Sequence, residues 1–181
     1  MPSVFTHAFA ALALGKASTG ESRPARLWVL SVLCAVLPDT DAIISYAFGL
    51  RGSQFGHRGF THSLFFALLL ALLVVRFAFS ETPAFSKSWW KLLVYFFLVT
   101  ASHGLLDALT DGGSGVAFFA PFDETRYFFP WRPIEVSPMG LRFFSNRGLE
   151  VIASEFVWVW IPATLLVLFA WLYRRLLARR K

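Results

Sequence analysis

Long apolar runs leave this chain few ways to fold. Five can be read: Val4–Ala17; a second from about Arg26, running LWVLSVLCAVL into Pro38; a third from about Thr61 to Phe79; a fourth from about Trp89 to Leu109; and a fifth from about Val151 to Tyr173, with Pro162 inside it. At ~1.5 Å of helical rise per residue, a hydrocarbon core of ~30 Å takes about 20 residues. The first run falls short of that and fits a short, tilted or re-entrant helix. Pro162 has no backbone N–H and is expected to kink the fifth. Composition agrees: 56% of the 181 residues are hydrophobic and 15% charged, where soluble domains average about 25% charged. The mean hydropathy is +0.58. The expectation is one all-α domain over residues 1–181, a polytopic membrane bundle of four to five transmembrane segments without internal repeat or linker.

Between the fourth and fifth runs lie about forty residues, Asp111–Glu150, rich in Gly, Pro and aromatics. That is too long for a plain connector. Trp and Tyr favour the membrane interface, so the stretch reads either as an interfacial aromatic loop or as a lid over a substrate. Charge sets the expected orientation, because cations gather in cytoplasmic loops. Five alternating crossings with a cytoplasmic C-terminus place Lys16, Arg23, Arg26, Arg76, Lys87, Lys91, Arg174, Arg175, Arg179, Arg180 and Lys181 inside, eleven of the 17 Lys and Arg. Arg51, Arg58, Arg126, Arg132, Arg142 and Arg147 then fall outside, along with the long loop. The net charge of +6 is thereby a juxtamembrane feature suited to anionic lipid rather than a nucleic-acid surface. No cation precedes the short first run, so it does not read as a secretory signal, and targeting falls to the spans. The single Cys34 sits in an apolar run, excludes an internal disulfide and a CxxC metal pattern, and reads as packing.

The polar residues carry the functional signal. His7 opens the first run, and Asp39 and Asp41 end the second in LPDTD. His57 and His62 open the third in HRGFTHS, and His103, Asp107 and Asp111 close the fourth in HGLLDALTD. With alternating crossings, all of them fall at one membrane edge. His103, Asp107 and Asp111 are four residues apart and share one helical stripe. Ionisable groups at membrane depth are costly and mark function, and clustered carboxylates call for a cation. Mixed His/Asp ligation suits Zn²⁺, with Mn²⁺ or Fe²⁺ as alternatives, better than Ca²⁺. Four histidines and up to four aspartates exceed one tetrahedral site, so one or two ions are expected. Each residue also has a plainer reading. His7 or Asp41 alone would serve as a cap or interfacial group, Asp111 before Gly112-Gly113 as a helix stop, and Arg58 as a headgroup contact.

The set of His7, LPDTD, HRGFTHS, HGLLDALTD and RYFFPWRPIEVSP resembles the YdjM/YbcI-like inner-membrane proteins over nearly the whole chain. Those are described as membrane-bound, metal-dependent hydrolases. The resemblance implies metal ligation by His7, Asp39, His57, His62, His103 and Asp107, with Asp41 and Asp111 matching less closely. It does not name a substrate. The expected chemistry is metal-assisted hydrolysis, with Asp41 or Asp111 as general base and Arg58, with Arg126 or Arg132, as a bidentate clamp on phosphate or carboxylate. The membrane edge and aromatic loop point to an amphiphilic or phosphoester substrate. The alternative is a metal-binding membrane protein without catalysis, a carrier or scaffold. A carrier places ionisable groups near the bilayer midplane, whereas these segment centres are apolar.

Overall fold

The computed structural model describes residues 1–19, 23–50, 53–138 and 140–179; Arg51, Arg180 and Lys181, counted above for charge, lie outside the described residues. The chain is helical and, among the described residues, contains no strand beyond two isolated bridges. Its elements are α1 (Val4–Thr19), α2 (Ala25–Val36), a 3-10 turn (Leu37–Asp39), α3 (Thr40–Phe48), a second 3-10 turn (Phe60–His62), α4 (Leu64–Ala78), α5 (Lys87–Ala108), a third 3-10 turn (Gly140–Phe144), α6 (Asn146–Glu155), a π-helical turn (Phe156–Trp160) and α7 (Ile161–Ala178).

Among the described residues, three stretches are long and apolar enough to cross a membrane: Ala25–Phe48, Lys87–Ala108 and Asn146–Ala178. α4 is apolar but has 15 residues, and α1 has 16. The apolar runs thus map onto helices, with two differences at prolines. The second run does not stop at Pro38. Proline is tolerated at a helix start, where its missing N–H has no partner to lose, and Pro38 sits in the 3-10 turn that passes the axis on to α3. Asp39 and Asp41 therefore lie inside a nearly continuous 24-residue stretch rather than at its exit. In the last stretch, the Pro162 ring crowds the carbonyl four residues earlier. The chain answers with a π-helical turn over Phe156–Trp160, just before the proline.

α5 is central, packing on α4, α2 and α1, and α1 also contacts α7. The core joins Ala11, Leu27, Cys34, Ala35, Ala71, Val75, Phe96 and Val99, so Cys34 is a packing residue as expected. Alanines at the contacts let apolar helices approach closely where lipid offers no hydrophobic incentive to associate. Ser63 caps α4 by accepting from the Phe66 N–H at 3.0 Å, and Ser86 caps α5 by accepting from Trp89 at 3.2 Å.

The segment between α5 and α6 lies against the end of the bundle where α5 finishes. Val116 and Tyr127 exchange backbone hydrogen bonds at 2.9 Å, the Phe129 N–H reaches the Ala108 carbonyl at 3.0 Å, and the Leu64 N–H reaches Phe118 at 3.0 Å. Val116, Ala117, Ala120 and Ile134 are buried beneath it, while Phe119, Phe122, Trp131 and Phe144 are exposed. The segment therefore seals one end of the bundle and presents aromatics outward.

Candidate metal centre

Five parts of the chain bring polar groups to that end: the start of α1, the first 3-10 turn with α3, the loop before α4, the end of α5 and the segment after it. Asp39, His62, His103 and Asp107 each present one donor atom, all within 4.8 Å of one another. His103 Nε2 lies 3.1 Å from His62 Nε2 and 3.3 Å from Asp39 Oδ1. His62 Nε2 lies 3.4 Å from Asp107 Oδ2 and 3.7 Å from Asp39 Oδ1. Donors at ~2.0–2.2 Å around a tetrahedral ion sit about 3.3–3.6 Å apart, so the spacing fits one divalent ion.

The outer atoms of these residues settle which way the donors face. His103 Nδ1 lies 2.7 Å from the Ala35 carbonyl, which can only accept, so Nδ1 carries the proton and the Nε2 lone pair points inward. His62 Nδ1 lies 3.1 Å from Asp41 Oδ2, a carboxylate behind an imidazole, with the same consequence for its Nε2. Two imidazole lone pairs 3.1 Å apart repel unless a cation or a proton lies between them. Both carboxylate oxygens of Asp39 and of Asp107 are buried without a well-aligned hydrogen bond, although Arg58 Nε approaches Asp107 Oδ2 to 3.0 Å, a costly state for two carboxylates with one cation of the chain between them. The charges point the same way. Asp39, Asp41 and Asp107 bring three negative charges, the buried Arg58 returns one, and a divalent ion supplies the remaining two.

Local sequence makes this approach possible. Gly104 follows His103, and a Cβ there would lie 2.8 Å from the His62 carbonyl, so only glycine lets α5 run this close to the His62 backbone. Arg58 adopts φ +64°, a left-handed conformation uncommon for a non-glycine residue. Its guanidinium turns inward and is 1% exposed. Nε forms an ion pair with Asp107 Oδ2 at 3.0 Å, and the two terminal nitrogens donate to the Gly112 carbonyl and to Thr110 Oγ1, both at 2.9 Å. A Cβ at Gly113 would lie 2.4 Å from that guanidinium.

The expected site residues fall at three depths. Asp39, His62, His103 and Asp107 form the inner group. His7 stacks on His103 at 3.8 Å between ring centres and brings Nε2 to 3.6 Å from Asp107 Oδ1, bordering the group without joining it. His57 stands one layer out, bonded through Nδ1 to Asp41 Oδ1 at 2.8 Å, with its side chain 20% exposed. Asp41 takes hydrogen bonds from His57, His62 and Thr61. A second ion on Asp41, His57 and His62 would have to displace the proton His62 gives to Asp41, so the arrangement favours a single ion. Asp111 is turned to the loop, where its Oδ1 accepts from the Val136 N–H at 2.8 Å. Arg58 does not fit the expected substrate clamp, because its donors are committed to Asp107, Thr110 and Gly112. Arg126 braces the loop through the His57 and Ser53 carbonyls at 3.1 and 3.0 Å, and Arg132 stacks on Phe128 at 4.8 Å.

Comparison with known proteins places nearly the whole chain in one family. The model of a family described as "YdjM inner membrane protein" matches residues 1–177. The chain is also 41% identical over 177 residues to "Inner membrane protein YbcI" of Escherichia coli strain K12, covering 97% of this chain and all of that protein. This chain belongs to the YdjM inner membrane protein family. No solved structure matches it. Membership agrees with the apolar stretches, and the family's description names no activity.

Sequence reasoning missed two supports of the site. One is the Ala35 carbonyl, a backbone group that no side-chain pattern reveals. The other is Glu155, fully buried at the end of α6, which accepts from the Ser3 N–H, from Ser3 Oγ at 2.6 Å and from Thr6 Oγ1 at 2.7 Å. It thereby fixes the start of α1, which carries His7. A glutamate inside an apolar run was the available signal.

Proposed function

We propose that this protein is a membrane-embedded, metal-dependent hydrolase with a single divalent ion, Zn²⁺ by preference, held by Asp39, His62, His103 and Asp107. The observation that carries the reading is the set of four buried donors at 3.1–3.7 Å from their neighbours, each imidazole oriented from behind. Two nitrogens and two oxygens suit Zn²⁺. When bound, such an ion supplies Lewis-acid chemistry, polarising an ester oxygen and acidifying water. The chain's own residues do the rest. Asp41 holds His62 in the ligating tautomer, Arg58 orients Asp107, and His57 is the proton-handling group. Its Nδ1 is fixed on Asp41, which leaves Nε2 to take a proton at the side of the cluster that reaches solvent.

An amphiphilic phosphoester is the proposed substrate class. A cleft of about 360 Å³ is lined by Val4 and Phe5 of α1, Ala42 and Ile43 of α3, and Phe143 and Phe144; none of the four donors lines it, but Phe5 precedes His7 and Ala42 follows Asp41 in sequence. The basic end of the bundle lies opposite, so the positive-inside rule puts the centre on the extracytoplasmic side, with α1 and α4 completing five crossings. A metal-binding role without catalysis is the second reading, and the full burial of His103 and Asp107 favours it. Structural sites are closed where catalytic ones keep an open position.

The test is elemental analysis of detergent-purified wild type, His62→Ala and Asp107→Ala, with a phosphoester hydrolysis screen. One equivalent of metal in wild type, lost in both variants, with hydrolysis lost in step, supports the enzyme. Bound metal without hydrolysis supports the second reading, and no metal after reconstitution with Zn²⁺ or Mn²⁺ rejects both.

A further inference from the structure

The opposite end of the bundle carries a different site. A groove of about 870 Å³ runs between the end of α1, the start of α2, the end of α4 and the first half of α5. That volume lies within the range of ligand sites, ~300–1,000 Å³. Its walls are apolar, among them Leu14, Leu27, Phe79, Val94 and Leu98. Its mouth is ringed by Arg23, Arg26, Lys87 and Lys91, with Glu81 as its one acidic residue. Glu81 is taken by Arg26, which is further fixed by the Ala78 carbonyl at 2.9 Å and by stacking on Phe79 at 4.5 Å. Arg23, Lys87 and Lys91 make no ion pair among the described residues and are exposed. Lys87 and Lys91 are one helical turn apart on α5, so two like charges share a face of that helix. The dipole of α5 adds further positive potential at this end.

An apolar groove whose cations have one paired anion among them lacks a negative group attached to apolar chain. We propose that this groove binds an anionic glycerophospholipid, with an acyl chain along Leu14, Val94 and Leu98 and the phosphate between Lys87, Lys91 and Arg23. Each lysine near an anionic headgroup contributes through direct attraction that a zwitterionic lipid largely cancels. The site is separate from the metal centre and independent of the hydrolase reading.

The experiment is native mass spectrometry of the detergent-solubilised full chain, titrated with phosphatidylglycerol or phosphatidylcholine. Wild type is expected to retain one phosphatidylglycerol in preference to phosphatidylcholine. Lys87→Glu with Lys91→Glu is expected to weaken that retention roughly thirtyfold or more, from two lost attractions, while Lys87→Arg with Lys91→Arg keeps it. Val94→Trp, which fills the groove without touching a charge, should lower retention of both lipids. Thermal unfolding in detergent, measured on each sample, reports that the bundle is intact. Equal retention of the two lipids by wild type overturns the proposal, as does undiminished phosphatidylglycerol retention in both the charge-reversed and the Val94→Trp proteins.

Discussion

The two ends of this bundle each hold an arginine–carboxylate pair, and the pairs have little else in common. At the metal end, Arg58 and Asp107 are 1% and 0% exposed, and every nitrogen of the guanidinium has a fixed partner. At the basic end, Arg26 and Glu81 are 46% and 55% exposed, and Arg23, Lys87 and Lys91 beside them are exposed without an ion pair among the described residues. A buried charge cannot be left alone, so each one at the metal end recruits another until the set is neutral with an ion included. An exposed charge is stabilised by solvent and recruits nothing, which leaves it available for a ligand from outside. The chemistry is built in at one end and solicited at the other.

The contrast is sharpest for Arg58. Arg58→Met keeps the bulk of the side chain and leaves Asp107 buried without its guanidinium partner. Breaking a buried pair this way costs about 3–5 kcal/mol, and the expected result is a large fall in thermal stability of the chelator-treated protein. Excess Zn²⁺ should restore part of the loss, because the ion is the other source of positive charge. A fall below ~1 kcal/mol in thermal unfolding would mean that Asp107 is not ionised in the fold and would sink the charge argument for a divalent ion.

Asp41→Asn tests the layer behind the ligands. Asparagine can keep a hydrogen bond to His62 Nδ1 but cannot supply the charge. Outer-shell changes of this kind weaken metal affinity by about 10–100-fold, which a competition titration with a chromophoric chelator reads directly. An unchanged affinity would move Asp41 from orienting group to bystander.

Much of this end was legible in the sequence, because cost makes it legible. Four histidines and four aspartates at apolar-run ends are costly in a membrane protein, and the structure brings His62, His103, Asp39 and Asp107 together while leaving His7 and His57 at the border of that group. What could not be read is depth. Asp41 and His57 differ from Asp39 and His62 by no local pattern, yet one pair stands behind the other. That order is set by the 3-10 turn at Pro38 and by the left-handed Arg58, both tertiary outcomes. Arg58 carries the same ambiguity: nothing in HRGFTHS says whether an arginine turns outward to a substrate or inward to a ligand, and in the fold it turns inward. The basic end was legible as charge but not as shape, since a groove depends on how four helices meet.

Protonation offers a smaller effect with a definite sign. His62 lies ahead of α4. Burial alone would lower its pKa, but its hydrogen bonds to Asp107, Asp39 and Asp41 outweigh that and hold it well above the ordinary value. A proton therefore occupies His62 at neutral pH when no cation competes, and metal binding must release it. Apparent affinity is expected to rise with pH, about tenfold per unit for one released proton. Isothermal titration in buffers of different ionisation enthalpy counts that proton, and a count of zero would place the ion away from His62.

The smallest effect belongs to the other pair. Glu81→Gln removes the charge at the basic end while leaving Arg26 its carbonyl contact to Ala78 and its stacking on Phe79. It is a cleaner probe than Arg26→Ala, which would also strip packing from Phe79. Exposed pairs contribute about 0.2–1 kcal/mol, so thermal unfolding in detergent should shift little, and less still at high salt because exposed charges are screened. The substitution also frees a fourth cation at the groove, so phosphatidylglycerol retention should hold or increase as stability falls slightly. A loss above ~2 kcal/mol would show that Arg26 and Glu81 are desolvated by more than these helices. The two ends would then follow one rule, and the division between a site built in and a site left open would collapse.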